Sequence, residues 1–152
     1  MTTKERVLRR EYDRGRLAAL EVQNLSVEMT GTELNAADDR IPRFAAARKN
    51  KNMLERAVGF VCKSSAGRVV RLLQPYDSAI FSHEPEELPA QWGFVWSEDP
   101  QKAQPFLSLS TSPYHAGACC VENGIIYRSI VDGNVLAPSA YTAGWEIVGT
   151  GK

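Results

Sequence analysis

Few side chains in this sequence have the types and spacing that catalysis needs. His83 and His115 are its two imidazole bases, and neither belongs to a recognisable catalytic signature. Glycoside hydrolysis needs two carboxylates that flank a sugar bond, whereas the clustered acids Glu84, Glu86 and Glu87 are typical of a solvated loop. The sequence also has no glycine-rich phosphate loop. We therefore expect a protein that is not an enzyme and that needs no cofactor.

The cysteines are interpreted as small buried apolar side chains. Cys119 and Cys120 are adjacent, and neighbouring residues of a strand point to opposite faces, so these two cannot easily pair with each other. A metal site would require Cys62 to converge with them and with the histidines, and no Cys-x-x-Cys pattern supports this. The sequence predicts neither a disulfide framework nor a metal site.

Length and charge limit the kinds of partner. The chain has 152 residues, which suits one domain or two very small ones. Its 18 basic residues balance 18 acidic residues, so no overall charge favours nucleic acid or an anionic membrane. No apolar run approaches the ~20 residues that span a bilayer, and the N-terminus does not resemble a secretory signal. We expect synthesis in a cytoplasm, no membrane span and no nucleic-acid partner.

The C-terminal two thirds of the chain contain one pattern twice. Each copy has a Gly before a short apolar strand, a turn Gly, an apolar run that ends in Arg, a Pro-containing loop, and a Trp that opens a last strand. The first copy places these residues at Gly59, Gly67, Arg71, Pro89 and Trp92, and the second at Gly117, Gly124, Arg128, Pro138 and Trp145. The pattern predicts two tandem small antiparallel β modules, at residues 53–98 and 99–152, which is typical of a binding or assembly protein.

The region before the repeat, residues 1–52, is predicted to be helical, so the expected fold class is mainly β with an N-terminal α-helical segment. Residues 3 to about 25 carry an apolar stripe at helical spacing. Its members are Val7, Leu8, Tyr12, Leu17, Leu20, Val22 and Leu25. The stripe belongs either to a solvated helix or to an oligomerisation helix, and the second interpretation predicts a homo-oligomer. Thr30 and Glu33 form a capping-box pattern for a second short helix, which Pro42 ends.

Comparison of the two copies separates residues that serve the fold from residues that are free to bind a ligand. Trp92 and Trp145 are equivalent, as are Arg71 and Arg128, and we interpret all four as structural. Aromatic residues without a counterpart could stack on sugar rings. The candidates are Trp96, Tyr114, Tyr127 and Tyr141. Core packing competes with this role at Trp96, and Tyr114 could equally bond a backbone group.

The second module resembles the type 3 chitin-binding domain, the small carbohydrate-binding module of families five and twelve. The resemblance covers about residues 112–148, and it rests on an aromatic residue, two glycines, a second aromatic residue, a proline and a closing tryptophan. These are Tyr114, Gly117, Gly124, Tyr127, Pro138 and Trp145. The family usually has Asp after the first Gly, where this chain has Ala118. The resemblance implies a glycan-binding module.

The whole chain is similar to small tail-associated proteins encoded in prophages of gut Firmicutes. The similarity rests on three segments: residues 72–78, residues 85–94 and residues 111–114. It implies a phage tail, baseplate or fibre-tip component, carried in the virion tail. Two functions then remain open. The protein could recognise a host cell-surface glycan as a receptor-binding component, or it could be a structural adaptor that docks other phage tail proteins.

These two functions predict different surfaces. Glycan binding requires exposed, coplanar aromatic rings, whereas an adaptor requires an apolar patch and an edge strand that a partner can cover.

Overall fold

The computed structural model of the protein describes residues 22–26 and 28–151. Most of the predicted N-terminal helix and its apolar stripe lie outside the described residues, and only residues 22–25 are seen as helix. In the part of the chain that the structure describes, no helix is long and apolar enough to cross a membrane.

Two small sheets form the body of the protein. The first contains β1 (Val61–Lys63), β2 (Val69–Leu72) and β3 (Trp92–Phe94), in that order. The second contains β4 (Gln104–Pro105), β5 (Cys119–Glu122), β6 (Ile125–Ser129) and β7 (Trp145–Thr150), also in chain order. Neighbouring strands are antiparallel except β4 and β5, which are parallel. The prediction of a mainly β fold is confirmed.

Two short helices precede the first sheet. They are α1 (Gly31–Ala36) and α2 (Phe44–Asn50). The capping box is present in α1, because the Thr30 hydroxyl accepts from the Glu33 amide at 3.1 Å and the Glu33 carboxylate accepts from the Thr30 amide at 3.1 Å. The helix ends earlier than the pattern predicted, since residues 38–40 form a separate 3₁₀ turn.

The strand registers show the internal repeat in three dimensions. Trp92 lies opposite Leu72, the residue after Arg71, and Trp145 lies opposite Ser129, the residue after Arg128. Upstream of these strands, the amides of Gly59 and Gly117 each donate at 2.8 Å to the carbonyls of Leu72 and Ser129 respectively. Both glycines have a positive φ, which a side chain would disfavour. The equivalences that the sequence predicted for the Trp and Arg pairs therefore hold in the structure.

The repeat also extends further upstream than the sequence pattern showed. Arg43 forms a parallel bridge to Lys63 at the edge of the first sheet, as Pro105 pairs in parallel with Val121 in the second. The next residues, Phe44 and Phe106, present their ring edges to Trp92 and Trp145 at centroid distances of 5.7 and 6.0 Å. We call residues 43–94 the first unit and residues 104–150 the second unit. The helix α2 thus belongs to the first unit, although the sequence placed it in the N-terminal region.

One buried cluster is shared by both units. Cys62, Val70, Leu72 and Trp92 enter it from the first unit, and Cys120 and Trp145 enter it from the second. The opposite face of the first sheet has its own smaller cluster, in which Val22, Leu34 and Ile41 cover Val61 and Val69. Because a sheet this small has little core of its own, packing the two sheets together is what buries their apolar faces.

Candidate functional site

The structure places two of the four candidate aromatics inside the core. Trp96 is 5% exposed and Tyr114 is 1% exposed, and their rings stack with centroids 4.3 Å apart. The Trp96 indole donates to the Ser112 carbonyl at 2.9 Å, and the Tyr114 hydroxyl accepts from the Leu107 amide at 3.2 Å. Burial raises the pKa of the Tyr114 phenol, which keeps it protonated. The interpretation of these two residues as sugar-stacking platforms is therefore corrected, because neither ring has a free face.

The same two rings instead form the seam between the units. Phe94 of the first unit stacks on Trp96 at 5.8 Å, and Phe106 of the second unit stacks on Tyr114 at 5.4 Å. The four rings form a continuous stack, and the Trp145 ring packs at a steep angle against Tyr114 at 5.3 Å and against Phe106 at 6.0 Å. Offset stacking of this kind contributes about 0.5–1.5 kcal/mol per pair beyond the area that it buries. The role of the stack is to join the units.

The other two candidates lie at the surface of the second unit. Tyr127 is half-buried on β6, where it lies opposite Ile147 of β7. Tyr141 is 37% exposed, and its ring covers Gly144 just before β7. Tyr127 occupies the position that Val70 has in the first unit, since the two face the equivalent residues Cys120 and Cys62. These residues remain candidates for contact with a partner.

Apolar side chains on β6, on β7 and on the connection between them reach the surface. Those that we call the β7 patch are the half-buried Tyr127 and the exposed Ile130, Leu136, Tyr141 and Ile147. Two hydrogen bonds tie the backbone of Ile130 and of Leu136 to the start of β7: the Ile130 amide donates to the Gly144 carbonyl beneath Tyr141 at 2.9 Å, and the Trp145 indole donates to the Leu136 carbonyl at 2.9 Å. Ile147 is the most exposed member, at 68%.

The patch borders the edge of the second sheet where, among the described residues, no strand pairs with the outer side of β7. The amide of Ser129 donates to the Ala118 carbonyl and its carbonyl accepts from the Gly117 amide, so both backbone groups of Ser129 point towards β5. Because these groups alternate in direction along a strand, those of Arg128 point towards β7. Arg128 pairs with Glu146, and by the alternation along a strand the backbone groups of Ile147 point away from the sheet. Edge strands are commonly protected by lysine or proline, and β7 has neither. Its first half therefore offers backbone hydrogen bonds next to an exposed aliphatic side chain.

A register shift limits how much of this edge is regular. The pairing moves from Tyr127 with Ile147 to Ile126 with Gly149, which leaves Val148 as an extra residue. A bulge of this kind bends a strand and increases its twist. The segment from Trp145 to Ile147 lies before the bulge and keeps the regular pairing with β6.

Each of the two histidines lies close to a glutamate. His83 contacts Glu87 at 2.8 Å in an exposed pair, and His115 lies 3.8 Å from Glu98. Burial raises the pKa of Cys120 to about 12, so its thiol carries a proton at neutral pH. Among the residues that the structure describes, no group of three or more His, Cys, Asp or Glu side chains is placed to hold a metal ion.

Comparison with known proteins finds no matching family model, no significantly similar curated protein and no significantly similar solved structure. A function for this protein is therefore proposed from its geometry and from the sequence resemblances.

Sequence reasoning did not single out Ile130, Leu136 or Ile147. The alternation in Trp145-Glu146-Ile147 puts Ile147 on the face of Trp145, which is the buried face, and so predicts a core residue. Its exposure follows from the position of β7 at the end of the strand order. Strand order is a long-range property, so the local pattern carries no signal for it.

Proposed function

We propose that the protein is a non-enzymatic structural adaptor of a phage-type tail, which docks another tail protein on the β7 patch. The observation that supports this most is Ile147, which is 68% exposed on an open edge strand. The tail setting rests on the sequence similarity to prophage tail-associated proteins. In that setting the protein is made in the bacterial cytoplasm and ends in the virion tail.

The mode of docking that fits this geometry is strand addition. An extended segment of the partner would bond the outward backbone groups of β7 and would cover Ile147 with an apolar side chain. Full burial of one aliphatic side chain stabilises a complex by about 1.5–3 kcal/mol, and the backbone bonds fix the register of the added strand. Glu146 does not oppose this, because its carboxylate lies 3.7 Å from the guanidinium of Arg128 on the neighbouring strand.

Binding of a host cell-surface glycan is the second candidate function. Tyr127 and Tyr141 are the candidate aromatics that reach the surface, and both belong to the β7 patch. A glycan would stack on these two rings and would not need the edge of β7. An adaptor would need the edge and would tolerate loss of one ring.

The decisive experiment compares three variants by biolayer interferometry against purified tail proteins encoded beside this one, and on a glycan array. Ile147→Lys places a charge on the edge, and we expect at least a tenfold loss of partner affinity. Ile80→Lys is the matched control, since Ile80 is 70% exposed in the first unit, and it should bind normally. Tyr127→Ala/Tyr141→Ala tests the glycan function. Equal partner binding by the two lysine variants would refute docking at β7, and glycan binding that only the double tyrosine variant loses would favour the second candidate.

A further inference from the structure

The outer faces of the two sheets are equivalent by the repeat, and different segments of the chain cover them. On the first sheet, Val61 and Val69 are 0% and 1% exposed beneath Val22, Leu34 and Ile41. These three side chains belong to the chain segment that precedes the first unit. The first sheet therefore shows what a complete cover on this face looks like.

An arginine ties that cover to the first sheet. The guanidinium of Arg71 donates to the carbonyls of Ser26 and Met29, which follow the helical residues 22–25. The cation thus satisfies two carbonyls of the connection between the helical residues 22–25 and α1. Gln23 adds a second tie, because its side-chain amide bonds both the amide and the carbonyl of Val61.

On the second sheet the equivalent residues are Cys119, Ile126 and Arg128. Cys119 and Ile126 are 2% and 7% exposed, and the segment that covers them is short. It consists of the turn Pro100–Lys102 and the residues just before it. Arg128 reaches one carbonyl here, that of Glu98, at the long distance of 3.4 Å. The short cover leaves a cavity of about 200 Å³ beside Ile126. The cavity is lined by Pro100, Gln101, Ala103, Pro105, Val121, Ile126, Thr150 and Gly151.

We propose that this cavity receives an apolar side chain from residues 1–21 of a second copy of the chain. The described chain begins on the outer face of the first sheet, at Val22, with 21 residues before it. By sequence those residues carry the apolar stripe that continues into Val22. Residues 1–21 directly precede the cover of the first sheet, and by sequence they supply the same kind of apolar side chain for the equivalent face of the second sheet.

Size and charge both fit this occupant. An enclosed apolar cavity of ~150 Å³ holds a benzene molecule, so this partly open and partly polar cavity of about 200 Å³ has room for the side chain of a leucine or a tyrosine. Residues 1–21 have six basic and four acidic side chains, whereas residues 97–151 have two basic and five acidic. The segment and the second sheet therefore attract each other, and this attraction steers association at low salt. The resulting contact is between the segment of one copy and the sheet of another, so it generates a homo-oligomer.

Light scattering with size-exclusion chromatography tests the proposal on the intact chain. We expect an oligomer for the intact chain and a monomer after deletion of residues 1–20. The double variant Gln101→Arg/Thr150→Arg should also be monomeric, since both side chains are exposed at the cavity and the new charges repel the basic segment. Leu54→Arg/Ala57→Arg is the matched control at exposed positions of the first unit, and it should stay oligomeric.

A mixing experiment makes the test specific. The deletion variant keeps an intact cavity, and the Gln101→Arg/Thr150→Arg variant keeps an intact segment. An equimolar mixture should therefore form a heterodimer, although each variant alone is monomeric. A monomeric intact chain overturns the proposal, as does an oligomer that survives either change. Failure of the mixture to associate also overturns it, because the two halves of the contact would both be present.

Discussion

At the scale of single residues, aromatic side chains that look alike in the sequence have opposite environments. Tyr114 is 1% exposed in the seam between the units, whereas Tyr141 is 37% exposed on the β7 patch. Tyr114→Ala should lower the free energy of unfolding by about 3–5 kcal/mol, the cost of removing a large buried side chain. Tyr141→Ala should change it by less than about 1 kcal/mol. Urea denaturation followed by circular dichroism measures both, and equal losses would contradict the assignment of Tyr114 to the core.

The buried thiols predict how stability depends on pH. Burial raises the pKa of Cys120 from 9.0 to about 12, and it also raises the pKa of Cys62. Between these values the unfolded chain loses thiol protons that the folded chain keeps, so stability is fully present below about pH 9 and falls as the pH rises towards 12. Urea midpoints at pH 7, 9 and 10.5 should show this decline. Cys62→Ala/Cys120→Ala should flatten it, and an unchanged slope in that variant would mean that other groups cause the decline.

At the scale of elements, close packing overrides helix propensity at Gly31. Alanine favours a helix over glycine by about 1 kcal/mol, so propensity alone predicts that Gly31→Ala stabilises α1. A Cβ at Gly31, however, would lie 2.5 Å from the carbonyl oxygen of Trp96, which belongs to the backbone and cannot rotate away. We expect a net loss of about 1–3 kcal/mol in urea denaturation. Asn50→Ala, at the exposed end of α2, is the control and should be nearly neutral.

The elements also show which parts of the fold a sequence can predict. The Asn123-Gly124 turn was predictable because both residues adopt a positive φ, 52° and 76°, which that pair favours in a two-residue hairpin. The capping box at Thr30 was predictable because its two partners, Thr30 and Glu33, are only three residues apart. The parallel pairing of Pro105 with Val121 was not, because strands joined by a long connection leave no local pattern. The prediction of the candidate site failed for the same reason, since Trp96 lies between the two units and is buried by Tyr114 of the second unit.

At the scale of the whole molecule, the shared core joins two sheets that the sequence presents as tandem modules. The ring stack through Trp96 and Tyr114 crosses from one unit to the other, and Arg68 of the first unit donates to the Pro105 carbonyl of the second at 2.9 Å. Each unit has too small a core to be stable when its apolar face is exposed to water. The two units should therefore unfold as one cooperative system.

Phe44→Ala tests this coupling from one side. Phe44 is 1% exposed against Trp92, so its truncation should cost about 3–5 kcal/mol and should destabilise the first unit directly. If the units are coupled, amides of β6 in the second unit lose hydrogen-exchange protection by the same free energy, although Phe44 belongs to the other unit. In the unaltered protein, urea transitions followed by tryptophan fluorescence and by far-ultraviolet circular dichroism should coincide. Unchanged protection in β6, or two separate transitions, would show that the units fold independently in spite of their common core.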